Sequence, residues 1–311
     1  MILIACKPVT TSNNSKSYNV KIALFGKAFN TEHLDYFRIL IESLEGRGCK
    51  LLIWKPFHDL LKDKIVFNNP VSLFANHTDL RGKADMLLSV GGDGTMLHSV
   101  QLVRDSGIPI AGINLGRMGF LSSIPRSEII TAVEEILNQR YRIVKRTLIC
   151  LHSPADLFGD FNFAFNELAI NKKENSSMVV VHVWVNDQLL LSYWADGLII
   201  ATPTGSTAYS LSCGGPILTP DSSNFVITPI APHNLSVRPV VIPDNSLIRI
   251  RVDSRDHQAL VGLDSQSAII TPDHELVVGK AGFHINLVQR LNENFFSTIR
   301  AKLNWGSDIR N

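Results

Sequence analysis

Between Asn19 and about Asn138, short apolar runs alternate with segments whose apolar residues recur every three or four positions. The runs 20-VKIALFG-26, 50-KLLIW-54, 86-MLLSV-90 and 108-IPIAGIN-114 are nearly continuous in β-branched residues and leucine, the pattern of strands buried on both faces. Between them, 32-EHLDYFRILIESLEGRG-48 sets Leu34, Phe37, Ile41 and Leu44 on one helical face, with Gly46 and Gly48 able to end the helix. Segment 127-SEIITAVEEILNQR-140 repeats the period behind Ser127, a residue type that caps helices. This alternation predicts a Rossmann-like open α/β domain over 20–139, with a parallel sheet and crossover helices.

After Tyr141 the period shortens to two. The runs 178-MVVVHVWV-185, 188-QLLLSYW-194, 197-GLIIAT-202, 224-NFVITPIA-231, 247-LIRIRV-252 and 267-SAIIT-271 are separated by Asn-Asp, Pro-Asp-Asn and Pro-Asp-His turn clusters. Segment 185-VNDQ-188 has the form of a hairpin turn. Residues 140–288 are therefore expected to form an all-β domain, a β-sandwich. In 289–311, the segment 293-ENFFSTIRAKLNW-305 carries Phe296, Ile299 and Leu303 on one face, which predicts a carboxy-terminal helix packing back on the first domain. The Ser/Asn-rich residues 1–19 read as a mobile leader.

Composition narrows the function classes. Lys+Arg 30 against Asp+Glu 28 leaves +2, and the longest basic run is Lys172-Lys173, which argues against nucleic acid as a partner. No apolar stretch approaches the roughly 18 residues that cross a bilayer, so no membrane is expected. Cys6, Cys49, Cys150 and Cys213 are widely spaced and form no C-x-x-C pair, which fits reduced thiols and a cytoplasmic location. None of the ten histidines pairs with a cysteine at zinc-binding spacing.

The chemistry concentrates in two glycine clusters and one hydroxyl-rich segment. In 89-SVGGDGTMLHS-99, Gly91, Gly92 and Gly94 surround Asp93 at the carboxyl end of a predicted strand, where open α/β sheets bind ligands. The bland reading is a strand-to-helix turn; the other is a carboxylate that holds a metal or takes a proton from a bound hydroxyl. Neither a P-loop nor a dinucleotide fingerprint fits: the Gly-Lys pairs at 26, 82 and 279 are each followed by alanine, and Leu97 stands where a third glycine belongs. A second cluster, 112-GINLGRMGF-120, follows the next strand. Downstream, 196-DGLIIATPTGSTAYSLSCGGP-216 crowds six hydroxyls around Pro203 and Gly205, while Asn166 and Glu167 interrupt an apolar strand and require either buried hydrogen bonds or ligand contacts.

Together, G-G-D-G-T at 91–95, I-N-L-G-x-x-G-F-L at 113–121, Asn166-Glu167, Asp196-Gly197 and T-P-T-G-S-T-A-Y at 202–209 resemble the NAD kinase family over about residues 20–290. The resemblance implies transfer of the γ-phosphoryl of ATP, carried with Mg²⁺, to the 2′-hydroxyl of the adenosine ribose of NAD. It implies Asp93 as proton acceptor, with Gly91, Gly92, Gly94 and Thr95 shaping the phosphate loop. His98 matches a ligand position often basic in the family, although a histidine there equally caps or packs a helix. Asn166 and Glu167 match a dinucleotide-binding pair, an amide for the adenine edge and a carboxylate accepting hydroxyl protons. Asp196 and the run Thr207, Ala208, Tyr209, Ser210, Leu211 and Ser212 match further NAD contacts. Ala231 matches a contact made across a subunit interface, which implies a homo-oligomer, dimer or tetramer. In 264-DSQ-266, Ser265 replaces a glycine common in relatives, which puts Gln266 in doubt as a ligand residue. The alternatives are a lipid kinase of the diacylglycerol or sphingosine type and a non-catalytic NAD-sensing module in which Asp93 only holds the ribose.

Overall fold

The structure, a computed structural model, describes residues 19–27, 31–116, 119–173 and 177–305; the leader expected at the amino terminus lies, but for Asn19, outside the described residues. The first half runs β1 Lys21–Gly26, α1 Leu34–Glu45, β2 Lys50–Trp54, α2 Lys55–Leu61, β3 Ser72–Phe74, α3 His77–Leu80, β4 Met86–Val90, α4 Asp93–Val103, β5 Ile110–Asn114, β6 Ile124–Pro125 and α5 Ile129–Leu137. Strands β3-β2-β1-β4-β5 pair in parallel in that order. Every residue of β4 and β5 is buried, as continuous apolar runs between two helical layers should be. Helix α1 ends at Gly46 with Gly48 left-handed at φ 74°. Ser127 does not cap α5: residues Arg126–Glu128 form a 3-10 turn, and α5 begins at Ile129 without a side-chain cap.

The second half runs β7 Tyr141–Ser153, β8 Phe163–Ala164, β9 Glu167–Lys172, β10 Val179–Val185, β11 Gln188–Ala195, β12 Gly197–Ala201, α6 Tyr209–Ser212, β13 Asn224–Ile230, β14 Val240–Pro243, β15 Ile248–Asp253, β16 Ala259–Leu263, β17 Gln266–Ile270, β18 Leu276–Arg290 and α7 Phe295–Leu303. The β10–β11 hairpin turns on Asn186 (φ 49°) and Asp187 (φ 65°), both left-handed, as a two-residue primed turn requires. A six-stranded sheet, β14-β13-β12-β9-β16-β17, faces the strands β11-β10-β15-β18. Val181, Ile200, Phe225, Ile250, Val261 and Val278 lie in the core between these layers. The first-half sheet does not stop at the domain junction. Strand β18 pairs with β15 through its first residues and with β5 at Leu287↔Ile110, so one 12-stranded sheet runs through the molecule. At its end, the nearly buried Arg290 binds Glu135 (2.5 Å) and Glu128, tying the long strand to α5 and the turn before it. Helix α7, capped by Asn294 Oδ1 accepting the Ser297 N–H (2.8 Å), returns toward the Asp93 side of the first domain.

Candidate active site

Asp93 is the first residue of α4 rather than part of a loop, because the chain turns at Gly91-Gly92 immediately after β4. Its carboxylate accepts three consecutive backbone N–H groups from the second glycine cluster: Phe120 to Oδ2 (2.7 Å), and Leu121 and Ser122 to Oδ1 (3.1 Å each). The two glycine segments therefore form one unit, with the carboxylate of one held by the amides of the other. A Cβ on Gly119 would fall inside both Asp93 oxygens, which is why that residue must be glycine. Thr95 packs where a Cβ on Gly91 would go, and Gly92 and Gly94 stay exposed. A carboxylate offers about four lone-pair sites, so three amides leave one, on Oδ2. Lys302 of α7 interacts electrostatically with Asp93.

A second carboxylate repeats the device. Asp264, at the β16–β17 turn, accepts the N–H groups of Phe165 (2.7 Å), Asn166 (2.8 Å) and Glu167 (3.2 Å). Burial pushes Asp264 up to about 6 although these three amides pull it down. Glu167 is pushed up to about 8, first by burial and then by the charge of Asp264, against one opposing N–H from Tyr209. Its Oε2 is buried without a partner among the described residues. The sequence suggests a carboxylate that accepts hydroxyl protons; this environment instead favours a protonated carboxyl, able to donate, at neutral pH. Asn166 aims no side-chain hydrogen bond at a described residue, so its amide edge is available.

The loop 202–213 is laid directly on this strand. Thr202 N–H donates to Asn166 O (2.9 Å), Thr202 Oγ1 donates to Phe165 O (2.7 Å), and a Cβ on Gly205 would enter the Asn166 carbonyl. Several hydroxyls that the sequence offers as ligand donors are spent on building the loop. Ser206 Oγ bonds Pro203 O (2.7 Å), Thr207 Oγ1 bonds Thr204 O (3.0 Å), and Ser210 pairs with Thr228 (2.8 Å) in the interior. Tyr209 and Ser212 remain exposed, with Ala208 and Leu211 half-buried beside them. Tyr209 reaches Asn171 at 3.5 Å, and burial pushes its hydroxyl above the ordinary tyrosine range; Asp196 is paired with Lys172 at 2.7 Å.

The aspartate cradle and the Asn166 strand hang from one core. Met96, in the first turn of α4, and Phe165, immediately before Asn166, share a buried cluster against which Leu97 and Leu121 pack. Ala231 sits exposed at φ 44°, next to Ile230, whose carbonyl accepts the Asp196 N–H (2.9 Å). Gln266 opens β17 half-buried, and the left-handed backbone of its turn falls on Asp264 (φ 51°) rather than Ser265, so the serine is accommodated. His98 lines a cavity with Lys27 and Trp54. The sequence reading passed over Asp264 and the 119–122 amides as functional parts. Their signal was present, in Asp-x-Gln at the end of the sandwich and in the final glycine of the second cluster.

Residues 22–141 match the ATP-NAD kinase N-terminal domain and residues 165–289 the ATP-NAD kinase C-terminal domain, which sets the chain among two-domain phosphotransferases. It is 46% identical to the NAD kinase of Cytophaga hutchinsonii over 290 residues, covering 93% of this chain and 99% of that one. It is 40% identical to the NAD kinase of Bacteroides fragilis over 291 residues, covering 94% and 100%. Among solved structures it resembles the yeast NADH kinase complexed with NADH (TM-score 0.82, 24% identity, 96% and 93% covered), a likeness of fold. It also resembles an NAD kinase from Archaeoglobus fulgidus in complex with ATP (TM-score 0.70, 25% identity, 91% and 98% covered). The chain belongs to the NAD kinase family. These relatives support neither a lipid kinase nor a non-catalytic sensing module.

Proposed function

We propose that the protein, as an NAD kinase, moves the γ-phosphoryl of ATP to the 2′-hydroxyl of the adenosine ribose of NAD, with Asp93 as proton acceptor. The observation that carries this role is the three-amide cradle, which fixes the carboxylate and leaves one lone pair on Oδ2. The hydroxyl proton passes to Oδ2, the ribose oxygen bonds the γ-phosphorus, and the bond from that phosphorus to the β–γ bridging oxygen breaks, releasing ADP. Such a transfer needs positioning and charge neutralisation more than covalent help. Mg²⁺ would enter as part of the nucleotide substrate, neutralising charge on its phosphates.

The surface around Asn166 binds the acceptor. Its amide reads the adenine edge, protonated Glu167 donates to a ligand oxygen, and the Tyr209 ring offers a stacking face. Asp196 and the ends of the 207–212 segment complete the contacts. A homo-oligomer, dimer or tetramer, is supported by apolar side chains left open around the β11 edge and the loop after β13, notably Leu189 (59% exposed), Trp194 (58%) and Leu235 (87%). No helix among the described residues is long and apolar enough to cross a membrane. The test is to incubate the protein with MgATP and NAD and follow product through an NADP-specific dehydrogenase. One ADP released per NADP formed supports the assignment; no NADP from a folded protein that still binds NAD would return the sensing module to consideration.

A further inference from the structure

Helix α7 lies along the segment that cradles Asp93. Asn294 caps it, the Arg142 guanidinium donates to Glu293 O just ahead of it (3.2 Å), and Ile299 buries its side chain. Phe295 and Thr298 line a cavity of about 60 Å³ together with Phe120 and Leu121, two of the residues whose amides hold the Asp93 carboxylate. On a helix, positions three, four and seven apart share a face. The face that meets the cradle through Phe295 and Thr298 therefore continues, one turn on, to Lys302.

Lys302 is half-buried, yet it makes no hydrogen bond or ion pair with any described residue. Lys172 and Lys280, by contrast, are paired with Asp196 (2.7 Å) and Asp244 (2.6 Å). Desolvation holds the Lys302 ammonium below the ordinary lysine range, and the charge of Asp93 works against that shift. Ammonium and carboxylate thus stand within electrostatic reach without touching, and the space between them can hold a third group. The reaction brings one there: a phosphoryl group that settles on the ribose oxygen beside Asp93 Oδ2. As a phosphate monoester it carries a charge of about −1.5 to −2, which a neighbouring carboxylate repels and a lysine ammonium balances.

We infer that Lys302 is a further catalytic residue, whose ammonium donates hydrogen bonds to the phosphoryl oxygens as that group reaches the ribose 2′-hydroxyl and keeps them on the 2′-phosphate of the product. The ammonium retains its protons throughout, since the ribose proton goes to Asp93. The inference rests on the kinase reading and extends the site to a helix outside both glycine clusters. Because NADP differs from NAD by this phosphate alone, the contact acts on product and transition state and leaves NAD untouched.

The test is titration calorimetry of the full chain with NAD and with NADP, beside single-turnover NADP formation at saturating MgATP, for wild type, Lys302→Met, Lys302→Arg and Arg300→Ala. Lys302→Met keeps the apolar stem and removes the charge, so α7 stays packed. It should weaken NADP by about ten- to a hundredfold, the scale of a hydrogen bond to a charged group, slow the single turnover, and leave NAD affinity at the wild-type value. Lys302→Arg should regain part of both losses. Arg300→Ala removes the same charge from an exposed position of the same helix and should match wild type. Wild-type NADP affinity and rate in Lys302→Met, equal weakening of NAD and NADP, a Lys302→Arg no better than Lys302→Met, or an Arg300→Ala that loses as much would each overturn the inference. So would a folded wild type that binds NAD but not NADP. A wild type that makes no NADP removes the kinase reading, while the split between NADP and NAD affinity in Lys302→Met stands or falls by itself.

Discussion

Gly119→Ala is the substitution that separates a positioned Asp93 from one that is merely present. The added Cβ would overlap both oxygens and the Cγ of Asp93, and neither side can give cheaply, because the aspartate begins a helix and the glycine precedes the donating amides. The carboxylate must rotate off the 120–122 amides. Hydrogen bonds to a charged group are worth about 1.5–3 kcal/mol each, so losing even one or two exceeds what a side-chain rotation costs elsewhere, and the reacting oxygen moves by about an ångström. A displacement of that size costs about 100-fold in rate, or about 2.7 kcal/mol of transition-state stabilisation. Asn166, Glu167 and Tyr209 belong to a different cradle, so NAD affinity should stay close to wild type. The assay is steady-state NADP formation beside NAD titration calorimetry. Wild-type kcat in a variant that retains the extra methyl would refute the claim that the amide cradle sets the geometry of the reacting oxygen.

Other outcomes follow from the same geometry. Arg290→Ala should destabilise the fold by about 1–3 kcal/mol, read as a lowered midpoint in urea, because Glu128 and Glu135 lose the cation that ties β18 to α5 while both carboxylates keep access to water. Because Glu167 and Asp264 are raised above their unfolded values, the stability they contribute is fully present below about pH 4 and is lost as pH climbs through about 6 for Asp264 and about 8 for Glu167. The melting temperature of the ligand-free protein should therefore fall between about pH 4 and 8, and Glu167→Gln should flatten the upper part of that fall, between about 6 and 8; an unchanged slope would contradict the protonated carboxyl. Gly205→Ala should cost about 1–3 kcal/mol and weaken NAD binding, by driving the 202–213 loop off the Asn166 carbonyl. Ser265→Gly should change stability by less than about 0.5 kcal/mol, since the left-handed residue of that turn is Asp264.

Much of the fold was legible because burial writes itself into the chain at fixed periods. β2 and β4 fall on the residues their apolar runs mark, and the β10–β11 turn is visible in Asn186-Asp187. What stayed hidden has physical causes. Strand β18 reads as mixed because Leu276 and Val278 face the sandwich while Ala281, Ile285 and Leu287 face the first-half core, so one strand serves two layers and keeps no single alternation. β7 is similarly blurred, with most of its first residues partly exposed. At the site, residue types were readable but partnerships were not. The hydroxyls of Ser206, Thr207 and Ser210 look unattached in one dimension and in three are each hydrogen-bonded within the framework of the loop. The pairing of Asp93 with amides some 27 residues downstream, and of Asp264 with amides about 98 residues upstream, exists only once the sheet is formed.

The central claim is that Asp93 takes the proton from the ribose hydroxyl. The most direct measurement is single-turnover NADP formation by Asp93→Asn at saturating MgATP, beside NAD affinity on the same preparation. Asparagine keeps the size and can still accept an amide N–H, but it cannot take the proton. Turnover lower by about 100-fold or more, with NAD still bound, is the predicted result. Turnover at the wild-type rate would contradict the assignment.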